Sequence, residues 1–393
     1  MLSILLAHNY YRRSNPSGEN VVFEAEARLL RGKGHTVYQY VRESDDIAGF
    51  SLAQRAALSA KIVWSHRSYV EVKRQLADQR PDVVHFHNIF PLISVSAFRA
   101  CRELDIPAVL TLHNYRPLCL NAQLVREGVV CDSCLGKRMA WPGILHRCYR
   151  DSFGHSTVMA AMLLGSRIVG TWSKDVALFL APSAFLRDKY VAAGFPGDRF
   201  CVKPNFVDPD PGNSNEERGY ALFVGRLSAE KGVRTLVEAW KTLPHIPLIV
   251  LGAGPEEETL RASARQLPNV KFVGAVQHSE VVGYLRRARY LVVPSEWYEN
   301  LTMVTLEAFA CGTPVIASRL GSLLEVVDEG HNGLLFNPRD PRDLAAKADY
   351  LWSNPEYART LGVAGRSEYM ARFTAERNYE QLLAAYEMAR TTW

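Results

Sequence analysis

Short, almost uninterrupted apolar runs separated by longer amphipathic segments recur along this chain in two series. In the first half the runs are SILLAH, HTVYQYV, DVVHFH, AVLTLH and ALFLAPS. In the second they are YALFVG, PLIVLG, VKFVG, YLVVPS, PVIAS and GLLF. A strand that is apolar on both faces is buried on both faces, which is the mark of a parallel sheet covered by helices. Segments such as 19–32 and 94–104 supply the helical periodicity between the runs. A chain of 393 residues also exceeds what one core organises. The pattern predicts an α/β protein of two doubly wound, Rossmann-like domains facing a central cleft. The first spans 1–203, with a cysteine-containing insertion at 115–150. A linker covers 204–218, where VKPNFVDPDPGNSNEERGY loses all periodicity. The second domain spans 219–373, and a terminal helix at 374–393 is placed to cross back to the first domain.

A net charge of +5 is a mild excess that fits an anionic ligand or a membrane surface and falls far short of a nucleic-acid binder. Seven cysteines, an odd number, do not make a secreted disulfide framework. The opening MLSILLAHNYYRR has no charged segment ahead of its apolar run, so it reads as a first strand. The longest greasy stretch, VMAAMLLGSRIVGTW, is broken by Arg167. These features point to a cytoplasmic protein, with peripheral contact at the inner membrane face left open.

Ligands of open parallel sheets bind beyond the carboxyl ends of the strands. FVGRLSAEKG ends a strand, turns at Gly225, and offers Arg226 and Lys231 before a helix, an arrangement suited to a diphosphate. VLGAGPEEETL holds Gly252 and Gly254 but Glu257 in place of a third glycine, so it reads as a turn bringing helix and strand together. SEWYENLTMVTLEAFACGTPVIAS sets Glu299 and Glu307 eight positions apart, with Asn300, Leu301, Thr302 and Met303 at a helix N-terminus and Gly312 closing that helix. Carboxylates are poor phosphate partners, and acceptor-only groups beside an anion seat suit the hydroxyls of ribose and a sugar.

These motifs, with GSLLEVVDEGHNGLLF and PRDPRDLA, make residues 220–346 closely resemble the family-4 retaining glycosyltransferases of GT-B architecture. The resemblance implies that Arg226 and Lys231 hold the donor diphosphate. It gives Glu299 the hydroxyls of the transferred sugar, Glu307 the nucleotide ribose, and the amides of Asn300–Met303 the distal phosphate and sugar. In the first domain, NPSGENVVFEAEARLLRGKGHTV is similar to the family's glycine loop and first helix, with Ser17-Gly18 where a glycine pair is usual. His113, closing VLTLH at a strand's end, stands where the family has a histidine near the donor sugar. The implied partners are a nucleoside-diphosphate-sugar donor and a saccharide or lipid-linked acceptor, with no nucleic acid and no required cofactor. Related two-domain architectures also serve sugar phosphorylases, nucleotide-sugar epimerases and non-catalytic binding proteins.

Two features remain. His85 and His87 share one face of a strand by period two, without an evident third metal ligand. Cys119, Cys131, Cys134 and Cys148, spaced C-x11-C-x2-C-x13-C, are compatible with a structural zinc site, with buried free thiols or with a disulfide formed after isolation. The same segment is basic and aromatic, which suits an acidic or lipid-diphosphate acceptor.

Overall fold

The protein, seen in a computed structural model, is described over residues 1–11, 18–213 and 216–393. The expectation for Ser17 and residues 214–215 of the linker lie outside these. Two compact units emerge: Met1–Leu124, Cys131–Pro204 and Asn378–Trp393 form one, and Val125–Val130 with Asn205–Arg377 the other.

Strands β1 (Ser3–Tyr10), β2 (Thr36–Glu43), β3 (Val83–Phe86) and β4 (Ala108–Thr111) precede a short antiparallel hairpin, β5 (Val125–Arg126) with β6 (Val129–Val130). After β7 (Leu178–Ala181) and β8 (Phe200–Val202), the first sheet is parallel in the order β2-β1-β3-β4-β7-β8. Every residue of β3, β4 and β7 is buried, as continuous apolar runs require. The last helix, Ala375–Thr392, contributes Leu382, Ala385, Tyr386 and Ala389 to the core around Ile4, Leu6 and Phe23.

The second unit carries β9 (Tyr220–Val224), β10 (Leu248–Leu251), β11 (Val270–Gly274), β12 (Ala288–Val293), β13 (Val315–Ser318) and β14 (Gly333–Phe336). Its parallel order is β11-β10-β9-β12-β13-β14. The strand order therefore reverses between β9 and β12, which opens a crevice at their carboxyl ends. Helix Val233–Trp240 buries Trp240 and Leu236 on one face of the sheet, and helix Met303–Ala310 packs Leu306 and Phe309 on the other. Part of the presumed linker is firmly held: Phe206 and Val207 are buried, and the Val207 amide donates to Phe373 O at 3.0 Å.

Gly252 and Gly254 are glycine because backbone passes over them. A Cβ on Gly252, at φ +129°, would stand 1.9 Å from Gly225 O, and one on Gly254 2.3 Å from Leu227 O. Their loop clamps the turn that carries Arg226, through Leu227 N to Ala253 O and Glu256 N to Leu227 O.

Candidate active site

The crevice of the second unit collects the residues the motifs singled out there. Arg226 follows β9 directly and is exposed. Lys231 closes the one-turn helix Ala229–Lys231, and Gly232 beyond it has φ +67°, with room for a Cβ denied by Pro294 O. That close approach ties the β9 loop to the β12 loop. Across it Lys231 Nζ reaches Glu299 Oε1 at 2.6 Å, and the Ser295 hydroxyl donates to the same oxygen at 2.6 Å. The Lys231 ammonium also lies 5.2 Å from the centre of the Trp297 ring. Ser322 Oγ donates to the Glu299 carbonyl at 2.6 Å, fixing the loop from the opposite side. Lys231 and Glu299, assigned to diphosphate and sugar respectively, are thus partners in the ligand-free protein.

The helix N-terminus needs a correction. The helix runs Met303–Ala310 with Thr302 as its N-cap, so Asn300 and Leu301 belong to the preceding loop. Only Thr302 and Met303 of the four stand at the helix start. Leu301 is buried, with its carbonyl accepting from Asn205 Nδ2 at 3.3 Å. Asn300 could have capped an earlier start, but the buried Leu301, its carbonyl held by Asn205, anchors the loop short of the helix. At the other end Gly312, at φ +65°, closes the helix as expected.

Glu307 is the fifth residue of that helix and only 3% exposed. Its Oε1 has no hydrogen-bond partner among the described residues and lies 3.5 Å from His278 Nε2. Burial pushes its carboxyl above the usual carboxylate range, and the neighbouring His278 imidazole opposes this. A buried acceptor without a donor is held ready for one supplied from outside.

In the first unit His113 lies two residues past β4. Its Nε2 is 3.0 Å from His87 Nδ1, with the rings stacked, and His87 Nε2 is 3.3 Å from Glu26 Oε2. Glu26 Oε1 accepts from Lys203 Nζ at 2.5 Å, and Lys203 also donates to Asn378 Oδ1 at 2.6 Å. Burial alone would raise Glu26, but Lys203 and the two histidines outweigh it and hold the carboxyl well below its ordinary range. Burial, then His87, drives His113 well below the usual imidazole range, so His113 is neutral. Of His87 Nδ1 and His113 Nε2, one carries the proton and the other accepts it.

Glu26 is the third acidic or imidazole group beside His85 and His87, their donor atoms lying within 4.8 Å of one another. It does not make a metal site. Lys203 is bonded to Glu26, while Tyr386 and Thr111 engage both nitrogens of His85 at 2.9 and 2.7 Å. The expected glycine of the N-terminal loop, Gly18, is the first residue of helix Gly18–Gly32. Beside it the Glu19 carboxyl is pushed up to about 7 by burial, against the pull of its Asn114 Nδ2 bond and of Arg116. An apolar cavity of about 60 Å³ opens next to His87 and His113, with Phe90, Leu112, Met162 and Trp172 in its wall.

The four insertion cysteines lie near one another, the thiols of Cys119, Cys131 and Cys148 all acting on that of Cys134. Among the described residues the one group of three ligand atoms within 4.8 Å is Glu26–His85–His87. Cys119 Sγ donates to Asn121 Oδ1 and Cys131 Sγ to Ser133 Oγ. Burial lifts the Cys134 thiol to about 11, with a small contribution from the other three.

Sequence reasoning missed Glu26, Lys203, Ser295, Ser322 and His278. Glu26 stands 177 positions from Lys203, and no local pattern links them.

Residues 206–368 match the family model of glycosyl transferases group 1, and residues 16–211 that of glycosyltransferase family 4. An uncharacterised glycosyltransferase of Methanocaldococcus jannaschii is 34% identical over 311 residues, 78% of this chain and 75% of that protein. A glycogen synthase of Mycobacterium tuberculosis is 29% identical over 84% of this chain and 73% of its own. In fold, the sucrose-phosphate synthase of Thermosynechococcus elongatus superposes with TM-score 0.72 at 20% identity, covering 99% of this chain and all of its own. The Anabaena protein HepE, solved with UDP-glucose, does so at 0.68 and 16% identity, covering 98% and 100%. Both sheets, the motifs at the second switch point and these matches agree: the chain belongs to glycosyltransferase family 4, with the GT-B fold.

Proposed function

We propose that the protein is a retaining glycosyltransferase that moves a hexose from a nucleoside-diphosphate sugar to a saccharide or lipid-linked acceptor. The observation that carries this reading is Glu307, a buried carboxylate with an unengaged oxygen on the crevice rim that also presents Arg226, Lys231 and Glu299. Two ribose hydroxyls would supply the donors Glu307 lacks.

Arg226 and Lys231 would neutralise the diphosphate, and Lys231 would exchange its bond to Glu299 for one to phosphate. That exchange frees Glu299 to accept from hydroxyls of the sugar, while Ser295 keeps it oriented. The amides at Thr302 and Met303 add positive potential for the distal phosphate. As the bond from the anomeric carbon to the phosphate oxygen breaks, negative charge builds on that oxygen, facing two cations and a helix N-terminus. The acceptor hydroxyl forms its new bond on the same face and passes its proton to the departing phosphate oxygen. Configuration is retained without a covalent enzyme intermediate.

Two protein cations already balance the diphosphate, so no metal is assigned a step. Since HepE was solved with UDP-glucose, uridine donors come first in a search for activity. The test is Lys231→Ala with whichever donor supports transfer. Turnover should fall by about 100-fold or more, the scale for removing one preorganised charge at a leaving group. Near-normal turnover in that variant would overturn the assignment.

A further inference from the structure

The insertion at 115–150 and the start of the following helix have an outer surface that the donor chemistry does not use. Between residues 137 and 153 stand Lys137, Arg138, Arg147 and Arg150 against one acid, Asp151. Those 17 residues therefore carry +3 of a chain total of +5. All four cations are exposed. So are Met139, Trp141, Leu145 and Phe153, at 42, 51, 63 and 58%. Apolar side chains of this size, interleaved with cations, are not what a solvated charged loop presents.

The exposure is built in. Helix Trp141–Leu145 turns Pro142, Gly143 and Ile144 inward. Ile144 and Ala140 pack with Met159, Ala160, Met162 and Leu163 of helix Phe153–Ile168. Trp141 and Leu145, four apart on this one turn, are left on the outer face. The Lys137 ammonium sits 5.6 Å from the centre of the Trp141 ring. Arg167 bonds the Lys137 carbonyl and fastens the segment to the longer helix. The outward Trp, Leu and Phe leave half or more of their surface to solvent.

We propose that residues 137–153 form a docking surface for an anionic lipid bilayer. Trp, Leu and Phe partition into the boundary between headgroups and acyl chains, and arginine and lysine stems reach back to the phosphates. The net +3 complements a negatively charged leaflet, where each cation adds about fivefold in partitioning. No helix of the described residues is long and apolar enough to cross a membrane, so the contact is a surface one. It deepens the proposed function by favouring a lipid-linked acceptor over a free saccharide, but vesicle binding is read without donor or acceptor and stands or falls separately.

The experiment is co-sedimentation of the purified full chain with large unilamellar vesicles in 0.1 M salt. One set is phosphatidylcholine alone and the other contains about 30% phosphatidylglycerol. The protein should pellet with the anionic vesicles at least tenfold more than with neutral ones. Arg147→Glu/Arg150→Glu should remove that preference. Trp141→Ala/Leu145→Ser should weaken binding to both vesicle sets by about tenfold. All four positions are exposed, and an unchanged melting temperature confirms folding. Equal pelleting with both vesicle sets, unaltered binding by either double variant, or no binding at all overturns the proposal. So does a lipid-free dimer that Trp141→Ala disperses, since the face would then belong to a second copy of this chain.

Discussion

Replacing Glu307 with glutamine should move stability and ligand affinity in opposite directions. In the ligand-free protein the carboxylate is buried, and its Oε1 lacks a hydrogen-bond partner among the described residues. A buried polar group left in that state costs about 1–3 kcal/mol. Glutamine keeps the shape and removes the charge, so Glu307→Gln should be more stable than wild type by about 1–2 kcal/mol. For a unit of this size that is about 2–4 °C in melting temperature per kcal/mol. The pH sign follows from the raised carboxyl. Its folded-state value lies above 4.5, the ordinary value, so the stability from its neutral form is full below that pH and is lost as pH rises through the folded value. The gain in the variant should therefore appear only above about pH 4.5. With ligand the order reverses. A hydrogen bond to a charged group contributes about 1.5–3 kcal/mol, so the nucleoside diphosphate should bind about 10- to 150-fold more weakly to the variant. Calorimetric melting without ligand and titration calorimetry with it read the two arms. A variant that melts no higher than wild type and binds equally tightly would refute the reasoning.

Other perturbations follow from the same geometry. Glu19→Gln should flatten a fall in wild-type stability between about pH 4.5 and pH 7. The native carboxyl sits near 7 rather than 4.5, and that difference corresponds to at most about 3 kcal/mol; urea melts at pH 5 and pH 8 measure it, and parallel curves would contradict it. Gly232→Ala should destabilise by about 2–5 kcal/mol, since its φ is +67° and the new Cβ would meet Pro294 O at 1.7 Å; a thermal melt within 1 °C of wild type would count against it. Glu26→Gln, which strips Lys203 of its carboxylate, should cost about 3–5 kcal/mol. His87→Ala should leave more stability but shift the pH profile of kcat by releasing His113 from its ring-to-ring hydrogen bond, and an unmoved profile would remove His87 from the positioning of His113.

Much of this was legible in the sequence because parallel strands announce themselves. Runs such as DVVHFH and YLVVPS are apolar on both faces, and each appears as a buried strand. β8 escaped notice because Phe200–Val202 is three residues long and half-exposed at an edge. Glu299 and Glu307 could be found because eight residues of loop and helix join them. The Lys231–Glu299 bond, spanning 68 positions, and the chain from Lys203 through Glu26 and His87 to His113 could not. Those contacts exist only once β9 lies beside β12 and the last helix returns to β3, and strand order is not written in any local pattern. Cysteine spacing likewise sets which sulfurs can meet and says nothing of whether the backbone brings them together.

The most direct test of the donor site is a thermal-shift panel with UDP, GDP, ADP and TDP and their common sugars, on wild type and on Glu307→Ala. A ligand that binds only the folded protein at 100 times its Kd adds about 2.7 kcal/mol. The account predicts a rise in melting temperature of several degrees with one nucleotide series and its loss in the variant. No shift with any of them, or the same shift in both proteins, would contradict it.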